Sequence, residues 1–502
     1  MEKDKALETL KAADRRVSLL RDSIAVLSFD METVMPEKAA EERGEQIALL
    51  SGLQHGFSLS DEIGSAAECL KDEEDLTPED KALVRSWNRF LSTEGKLPKS
   101  FVEESARLTS LSQSAWVRAR ENDDFSSYAP LLGEVFQNAA EKARIINPEA
   151  DAYDTLLDLY EEGMNASLIA SVFDPLETSI HEIMDMCCGR NIESDFLYVP
   201  YDRERLHAFC MKIITRMGFD FSRGMVSISA HPFTSYLGRD DIRMTTRYSD
   251  PSYFDSVSTI VHECGHALYD MNASLNEKIR GSGIGFGSSM SLHESQSRFW
   301  ENMMLRRRSF WLYAYPMLQE AVDGLQSVSL DDFYRGINRC TPSAIRVNAD
   351  EVTYPLHIIL RFRLEKMLMD GSLAVKDLPE AWNEMSSQII RYDVRNDSEG
   401  CLQDVHWAEG LIGYFPSYAM GSIAAALFMK TLEERAGGKD ALDEKISRGE
   451  WDVVTGFQRD EIWRYGSVYD FETVVRRVTG HPLDADVYKA YLADKYKEIY
   501  NH

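Results

Sequence analysis

Two histidines four apart, with a glutamate directly after the first, mark the chemistry available to this chain. His262-Glu263-Cys264-Gly265-His266 spells HExxH. On a helix of 3.6 residues per turn the two imidazoles are offset by roughly 40° and can reach one metal ion. Glu263 is placed to take a proton from a water held at that ion. A catalytic zinc needs three protein ligands and one open position. The HExxHxxGxxH arrangement is excluded, because Ala267-Leu268-Tyr269-Asp270 follows the second His. His293 and Glu294 both carry a suitable donor for the third ligand, with Glu294 lying 28 residues past His266. Asp270, one turn beyond His266, is either a group that orients an imidazole through its second nitrogen or a solvated surface charge. His231 and His406 read as structural on spacing alone. His55, His181, His207, His357, His481 and His502 stand in helical or terminal settings and read as surface or structural.

The elements that must position these groups are mainly helical. Leu7, Leu10, Val17, Leu20, Ile24 and Leu27 recur at helical spacing, until Met35-Pro36 breaks the pattern. Thr77-Pro78 and Pro98 start two further helices, and residues 150–217 continue likewise with an interruption near Gly189. Two alternating stretches, 225–230 and 242–248, read as short strands of a small sheet just before the HExxH segment. Such a sheet edge can hold an extended peptide by main-chain hydrogen bonds. Asp250-Pro251 reads as the start of the HExxH helix, a capping carboxylate followed by Pro at the first helical position. That helix is expected to end near Asn272, with Val257, Ile260, Val261 and Leu268 available for packing. The glycine-rich segment Gly281 to Gly287 reads as a flexible connector, since no strand precedes it and no Lys-Ser or Lys-Thr ends it.

The 502 residues carry 55 Lys and Arg against 83 Asp and Glu, a net charge of −28. That balance argues against nucleic acid or an anionic membrane as partner. Seven cysteines without framework spacing suit free thiols in a reducing cytosol. The polar segment Met1 to Lys5 lacks the apolar core of a signal peptide, so a cytoplasmic protein is expected. The uncharged run Leu411 to Met429 is long enough to span a bilayer. It contains Gly413, Pro416, Ser417, Gly421 and Ser422, and reads as buried interior. No repeat or low-complexity linker divides the chain. The expectation is one unit over 1–502, with two helical lobes around a groove.

Six motifs in order then carry a resemblance. They are His231-Pro232-Phe233; Asp241-Ile242-Arg243-Met244-Thr245 (DxRxT); the HExxH; His293-Glu294-Ser295-Gln296; Ile345-Arg346-Val347-Asn348-Ala349-Asp350 (IRxxAD); and Gly400 through Trp407 (GxxQDxHW). Together they resemble the thermostable carboxypeptidase Taq family of metallocarboxypeptidases over nearly the whole chain. One departure is Phe29-Asp30, where many members have Trp-Asp. The resemblance implies a mainly helical fold like that of neurolysin and angiotensin-converting enzyme, with a deep groove and a small sheet beside the metal. It implies a homodimer that removes single residues from peptide C-termini with Zn²⁺, or sometimes Co²⁺, one ion per subunit.

By the motif match, His262, His266 and Glu294 bind metal and Glu263 is the general base. Arg346 fits the group that holds the substrate's terminal carboxylate, which a planar guanidinium suits; pairing with Asp350 or Glu351 is the structural alternative. His231, Asp241, Arg243, Thr245, Gln403, Asp404 and Tyr414 are further candidates for substrate binding. His406 joins the catalytic candidates. Tyr418 lies at an interval from His406 like that in neurolysin-type enzymes and is the expected donor to the oxyanion. A zinc endo-oligopeptidase on the same scaffold is the nearest alternative. A non-catalytic peptide-binding protein would be expected to lack a ligand or the base, and all four residues are present.

Overall fold

The computed structural model describes residues 2–229, 231–248 and 251–501. The chain folds into two compact units. The first comprises Met1–Leu91, Ile192–Ile337 and Ala424–Leu483; the second comprises Ser92–Asn191, Asn338–Ile423 and Asp484–His502. Both are mainly helical, in agreement with the expected fold class.

In the first unit the opening helix is Lys3–Thr33, and Ala40–Ser58 follows the break at Met35-Pro36. Ala6, Leu10 and Ala13 of the first helix pack with Ile63, Ala66, Leu70, Leu83 and Trp87 into one apolar cluster. Asp14 is buried at its margin and accepts from Trp87 Nε1 and from the Gly283 N–H. Burial pushes its carboxyl up against the pull of those bonds. Among the bonds that tie down the glycine-rich connector, two are made by buried carboxylates, and the Gly283 bond is one of them. The other runs from the Gly287 N–H to Asp270 Oδ1 at 2.8 Å. Composition made this segment look flexible; buried carboxylates from two different helices fix it.

The unit's sheet has three strands in the order β1-β3-β2: β1 Gly224–Ile228, β2 Thr234–Gly238 and β3 Asp241–Thr246. β1 runs parallel to β3, and β2 pairs antiparallel to it with an irregularity between Tyr236 and Gly238. β2 is an addition to the sequence expectation, which had only β1 and β3. Ala230, placed at the end of the first of these, lies outside the described residues. Phe29, the departure from the family pattern, is buried edge-on to Phe233 with Arg243 over its ring, so it braces two of the motifs.

The second unit contains the helices Lys99–Asn122, Phe125–Ile146, Ala152–Tyr160, Ala166–Cys187, Tyr354–Asp370 and Ala485–Tyr500. The uncharged run lies largely in the helix Pro416–Arg435, where Ala419, Met420 and Ile423 to Met429 are all buried. A helix apolar all round is an interior helix. Among the described residues no helix is long and apolar enough to cross a membrane. All seven cysteines are free.

Candidate active site

The HExxH helix is Tyr253–Ala273. Its cap is Ser252, whose hydroxyl accepts from the N–H groups of Phe254 and Asp255. Asp250, the expected cap, lies outside the described residues, and Pro251 precedes the helix rather than opening it. A second helix, Met290–Arg298, is capped by Ser289 and carries Glu294 in its second turn. Gly265 allows the two helices to meet: a Cβ there would lie 2.6 Å from Ser297 Cα and 2.7 Å from the Gln296 carbonyl oxygen. A side chain at this point would force the helices apart, at a cost of about 1–3 kcal/mol, and carry Glu294 away from the imidazoles.

This packing gathers His262, His266 and Glu294, with ligand atoms within 4.8 Å of one another. Glu294 Oε2 is 3.7 Å from His262 Nε2 and 3.4 Å from His266 Nε2. Each imidazole is held from behind. His262 Nδ1 lies 2.8 Å from Glu301 Oε2, which fits an Nδ1–H donating to the carboxylate. His266 Nδ1 lies 2.6 Å from His293 Nδ1, and His293 Nε2 is 3.2 Å from Asp270 Oδ1. The tautomers that leave the His266 Nε2 lone pair open have His266 Nδ1–H donating to His293, and His293 Nε2–H donating to Asp270. His293 is thus turned toward His266, outside the three-donor group. Asp270 orients the imidazole at one remove.

Arg298 donates from Nε to Glu294 Oε1 at 2.6 Å and from Nη1 to Glu301 Oε2 at 3.1 Å. Burial opposes the charged form of both carboxylates, but Arg298 and His262 outweigh it. Glu294 is held well below the usual carboxylate range, and Glu301 is pushed down to about 2. Burial also opposes the imidazolium of His262, yet Glu294 and Glu301 push it up to about 8. Burial lowers His266. Glu263 is buried, and Thr234 of β2 donates to its Oε2 at 2.6 Å, with its main-chain oxygen 3.0 Å away. Four acidic side chains, Glu263, Asp270, Glu294 and Glu301, thus surround two imidazole nitrogens with one guanidinium among them. Two imidazoles and a carboxylate, in a region short of positive charge, fit a divalent cation.

The sheet motifs are engaged within the protein. Asp241 and Arg243 form a two-pronged ion pair, with both N···O distances 2.7 Å. Thr245 is buried, and its hydroxyl accepts from Phe233 N–H and Ser229 Oγ, tying the His-Pro-Phe loop to β3. His231 is exposed, and its carbonyl accepts from Ser229 Oγ.

In the second unit Arg346 is buried and pairs with Asp404, not with Asp350 or Glu351. Its Nε and Nη2 donate to Asp404 Oδ1 at 3.0 and 2.9 Å, and Nη1 donates to Tyr354 Oη. Asp350 instead accepts from the N–H groups of Thr341, Val352 and Thr353, while Glu351 pairs with Lys495. Arg361, fully buried, takes the other oxygen of Asp404. The two guanidiniums overcome burial and hold Asp404 far below the usual carboxylate range. Gln403 accepts from Arg346 N–H and donates to the Ala344 carbonyl, which fixes the Arg346 segment. His406 Nε2 is 3.0 Å from Tyr418 Oη. Burial and then Arg346 drive its imidazole down to about 3. The Tyr414 ring packs against His406 and Tyr160.

Sequence reading missed Thr234, Arg298, Glu301 and Arg361. Arg298 and Glu301 stand four and seven residues beyond Glu294, a helical spacing that was available as a signal. Thr234 and Arg361 carry no local signal. His357, expected at the surface or in a structural setting, is fully buried.

The sequence pattern of the family described as carboxypeptidase Taq (M32) metallopeptidase matches residues 9–496. Thermostable carboxypeptidase 1 of Pyrococcus furiosus is 34% identical over 97% of this chain and 98% of its own length. Carboxypeptidase 1 of Bacillus subtilis is 32% identical, covering 97% of each. The crystal structure of an M32 carboxypeptidase from Deinococcus radiodurans aligns with a TM-score of 0.95 at 32% identity, over 99% of this chain and 100% of that one.

Proposed function

The chain belongs to the carboxypeptidase Taq (M32) family of metallopeptidases, and we propose that it removes single amino acids from the free C-terminus of peptides. It is an enzyme, a peptide hydrolase of the carboxypeptidase class. In this reading residues 1–502 act as one catalytic domain, with one Zn²⁺ per subunit and Co²⁺ as a working substitute. The observation that carries it is the His262, His266 and Glu294 donor group with Glu263 beside it. Seven free thiols and the net charge of −28 support a cytoplasmic enzyme acting on peptides. The resemblance supports a homodimer.

His262 and His266 would hold the ion through Nε2, and Glu294 through Oε2. When bound, a divalent ion supplies Lewis acidity, polarising the scissile carbonyl and making water acidic enough to ionise near neutral pH. Glu263, its Oε2 held by Thr234, takes the proton of the attacking water and delivers it to the departing amine. Tyr418, hydrogen-bonded to His406, donates to the developing oxyanion. His406, neutral through burial and the nearby Arg346, serves as the partner that orients the Tyr418 hydroxyl. Arg346 receives the terminal carboxylate. Three of its five N–H groups are engaged with Asp404 and Tyr354, which leaves one hydrogen on each terminal nitrogen to grip two oxygens. Asp404 and Gln403 fix that guanidinium and its backbone. His231, Asp241, Arg243, Thr245 and Tyr414 shape the surroundings of the bound peptide.

Mass spectrometry of products from a mixed peptide pool, with added Zn²⁺ or Co²⁺, tests this. Stepwise loss of single C-terminal residues is expected, with C-terminally amidated peptides left intact. Internal cleavage of the amidated pool would replace the carboxypeptidase reading with an endo-oligopeptidase.

A further inference from the structure

Glu365 lies in the helix Tyr354–Asp370, belongs to none of the six motifs, and is wholly buried. Three donors converge on its carboxylate. Trp407 Nε1 reaches Oε1 at 2.7 Å, while Tyr153 Oη and the Gly413 N–H reach Oε2 at 2.8 and 3.0 Å. Burial pushes the Glu365 carboxyl up to about 7, and the three donors pull it back toward the charged form, which a buried carboxylate tolerates only with such bonds. The positions of the donors matter most. Trp407 directly follows His406, and Gly413 directly precedes Tyr414. The two oxygens therefore hold both ends of the loop that connects His406 to the tyrosine segment. Gly413 has φ +91°, and a Cβ there would lie 3.2 Å from the Leu156 and Leu157 backbone, so only glycine brings this N–H to the carboxylate. Leu156, Leu157 and Tyr153 share the helix Ala152–Tyr160, so loop, helix and carboxylate lock together.

We propose that Glu365 is the positioning residue that sets the geometry of His406 and Tyr418, by anchoring the two ends of the loop between them. The inference rests on the reading above that His406 and Tyr418 serve the reaction. Side-chain shape does not suffice for this role. In Glu365→Gln one oxygen becomes an NH₂ group. Turned to one side it faces the Trp407 indole N–H; turned to the other it faces the Gly413 N–H. Tyr153 can rotate its hydroxyl to accept, but those two donors cannot. One anchor of the loop is lost in either orientation.

The test compares Glu365→Gln, Trp407→Phe and the double variant as Zn²⁺-loaded enzymes. Each single variant is expected to lower kcat on the order of tenfold or more, with KM within about twofold and bound Zn²⁺ unchanged. The double variant should lose no more than the worse single one, because the Gln NH₂ can then turn toward the vacated indole position. A crystal structure of Glu365→Gln should show the His406–Tyr418 bond opened beyond its 3.0 Å. If either single variant keeps kcat within twofold of wild type while Tyr418→Phe and His406→Ala lose activity, the positioning role is overturned and the reaction reading stands. If Tyr418→Phe and His406→Ala also keep wild-type kcat, the reaction reading itself fails and takes this inference with it. Should Glu365→Gln not fold, Trp407→Phe alone decides in the same way.

Discussion

His262 and His406 are mostly buried imidazoles, with side-chain exposures of 19% and 13%. Their basicities nevertheless move in opposite directions. Burial penalises the imidazolium in both. At His262, Glu294 and Glu301 overcome that penalty and lift the group to about 8. At His406, Arg346 adds to the penalty and the group falls to about 3. The two regions are thus electrostatic opposites. The one around the HExxH helix gathers carboxylates about two imidazoles, as a cation requires. The one around Asp404 sets two guanidiniums on a single carboxylate and keeps its histidine neutral. Each carries an unbalanced charge, in a sense that a ligand of opposite sign would correct.

The sharpest way to break this comparison is to remove chemistry from the first region without removing its charge pattern for metal. Glu263→Gln retains His262, His266 and Glu294, so Zn²⁺ content should match wild type. Turnover should fall by about 10²- to 10⁴-fold, the range for loss of a general base. Metal analysis alongside initial rates measures both. Near-normal rates would remove Glu263 from the reaction and leave the acidic region as a metal holder only.

The second region makes a pH prediction. His406 has a folded pKa of about 3 against an ordinary value of 6.5. The unfolded chain therefore binds a proton that the folded one excludes across that interval, and stability rises with pH through it. The contribution is fully present above about 6.5 and is lost as pH falls towards 3. At 1.36 kcal/mol per pKa unit this amounts to a few kcal/mol. Denaturant unfolding of wild type and His406→Gln between pH 4 and pH 7 should show the wild type losing stability faster on acidification. Parallel curves would mean that neither burial nor the two guanidiniums hold this histidine neutral.

Legibility in the sequence followed the range of the interactions. The HExxH helix, the N-terminal helices and the interior helix at Pro416–Arg435 were readable because a 3.6-residue period or an unbroken apolar run is local. β2 was missed because Thr234 to Gly238 is five residues long and is defined by its pairing with β3. Arg361 meets Asp404 across 43 residues, which no local pattern encodes. Glu365 looks like an ordinary helix-surface charge in sequence; three donors from distant segments make it a buried anchor. The motif match assigned Arg346 to the substrate's carboxylate, and the fold adds a standing partner, Asp404, where spacing had offered Asp350 or Glu351. The glycine-rich connector was misjudged for a similar reason, since Asp14 and Asp270 fix it from outside the segment.

Glu301 gives the smallest expected effect and separates two explanations of the acidic region. If its carboxylates matter only as summed charge, one uncharged substitution at a residue that is not a ligand should change little. If they act by orientation, the bond from His262 Nδ1 matters individually. Glu301 stands where the helix widens into a π-type stretch, Phe299–Leu305, a distortion that recurs at functional sites. There it accepts from His262, Ser258 and Arg298 together. Glu301→Gln keeps its acceptor for His262 and Arg298 only with the NH₂ group turned to Ser258; turned the other way, the NH₂ faces the His262 and Arg298 donors together. The imidazole is then held less firmly and is a weaker base. Zn²⁺ affinity should fall by about 10- to 100-fold, the usual cost of losing such a partner, while kcat at saturating Zn²⁺ changes little. Competition with a chelator of known affinity reads the first quantity, and rates at high Zn²⁺ read the second. An unchanged affinity would favour summed charge; a lost kcat at full occupancy would place Glu301 in the reaction itself.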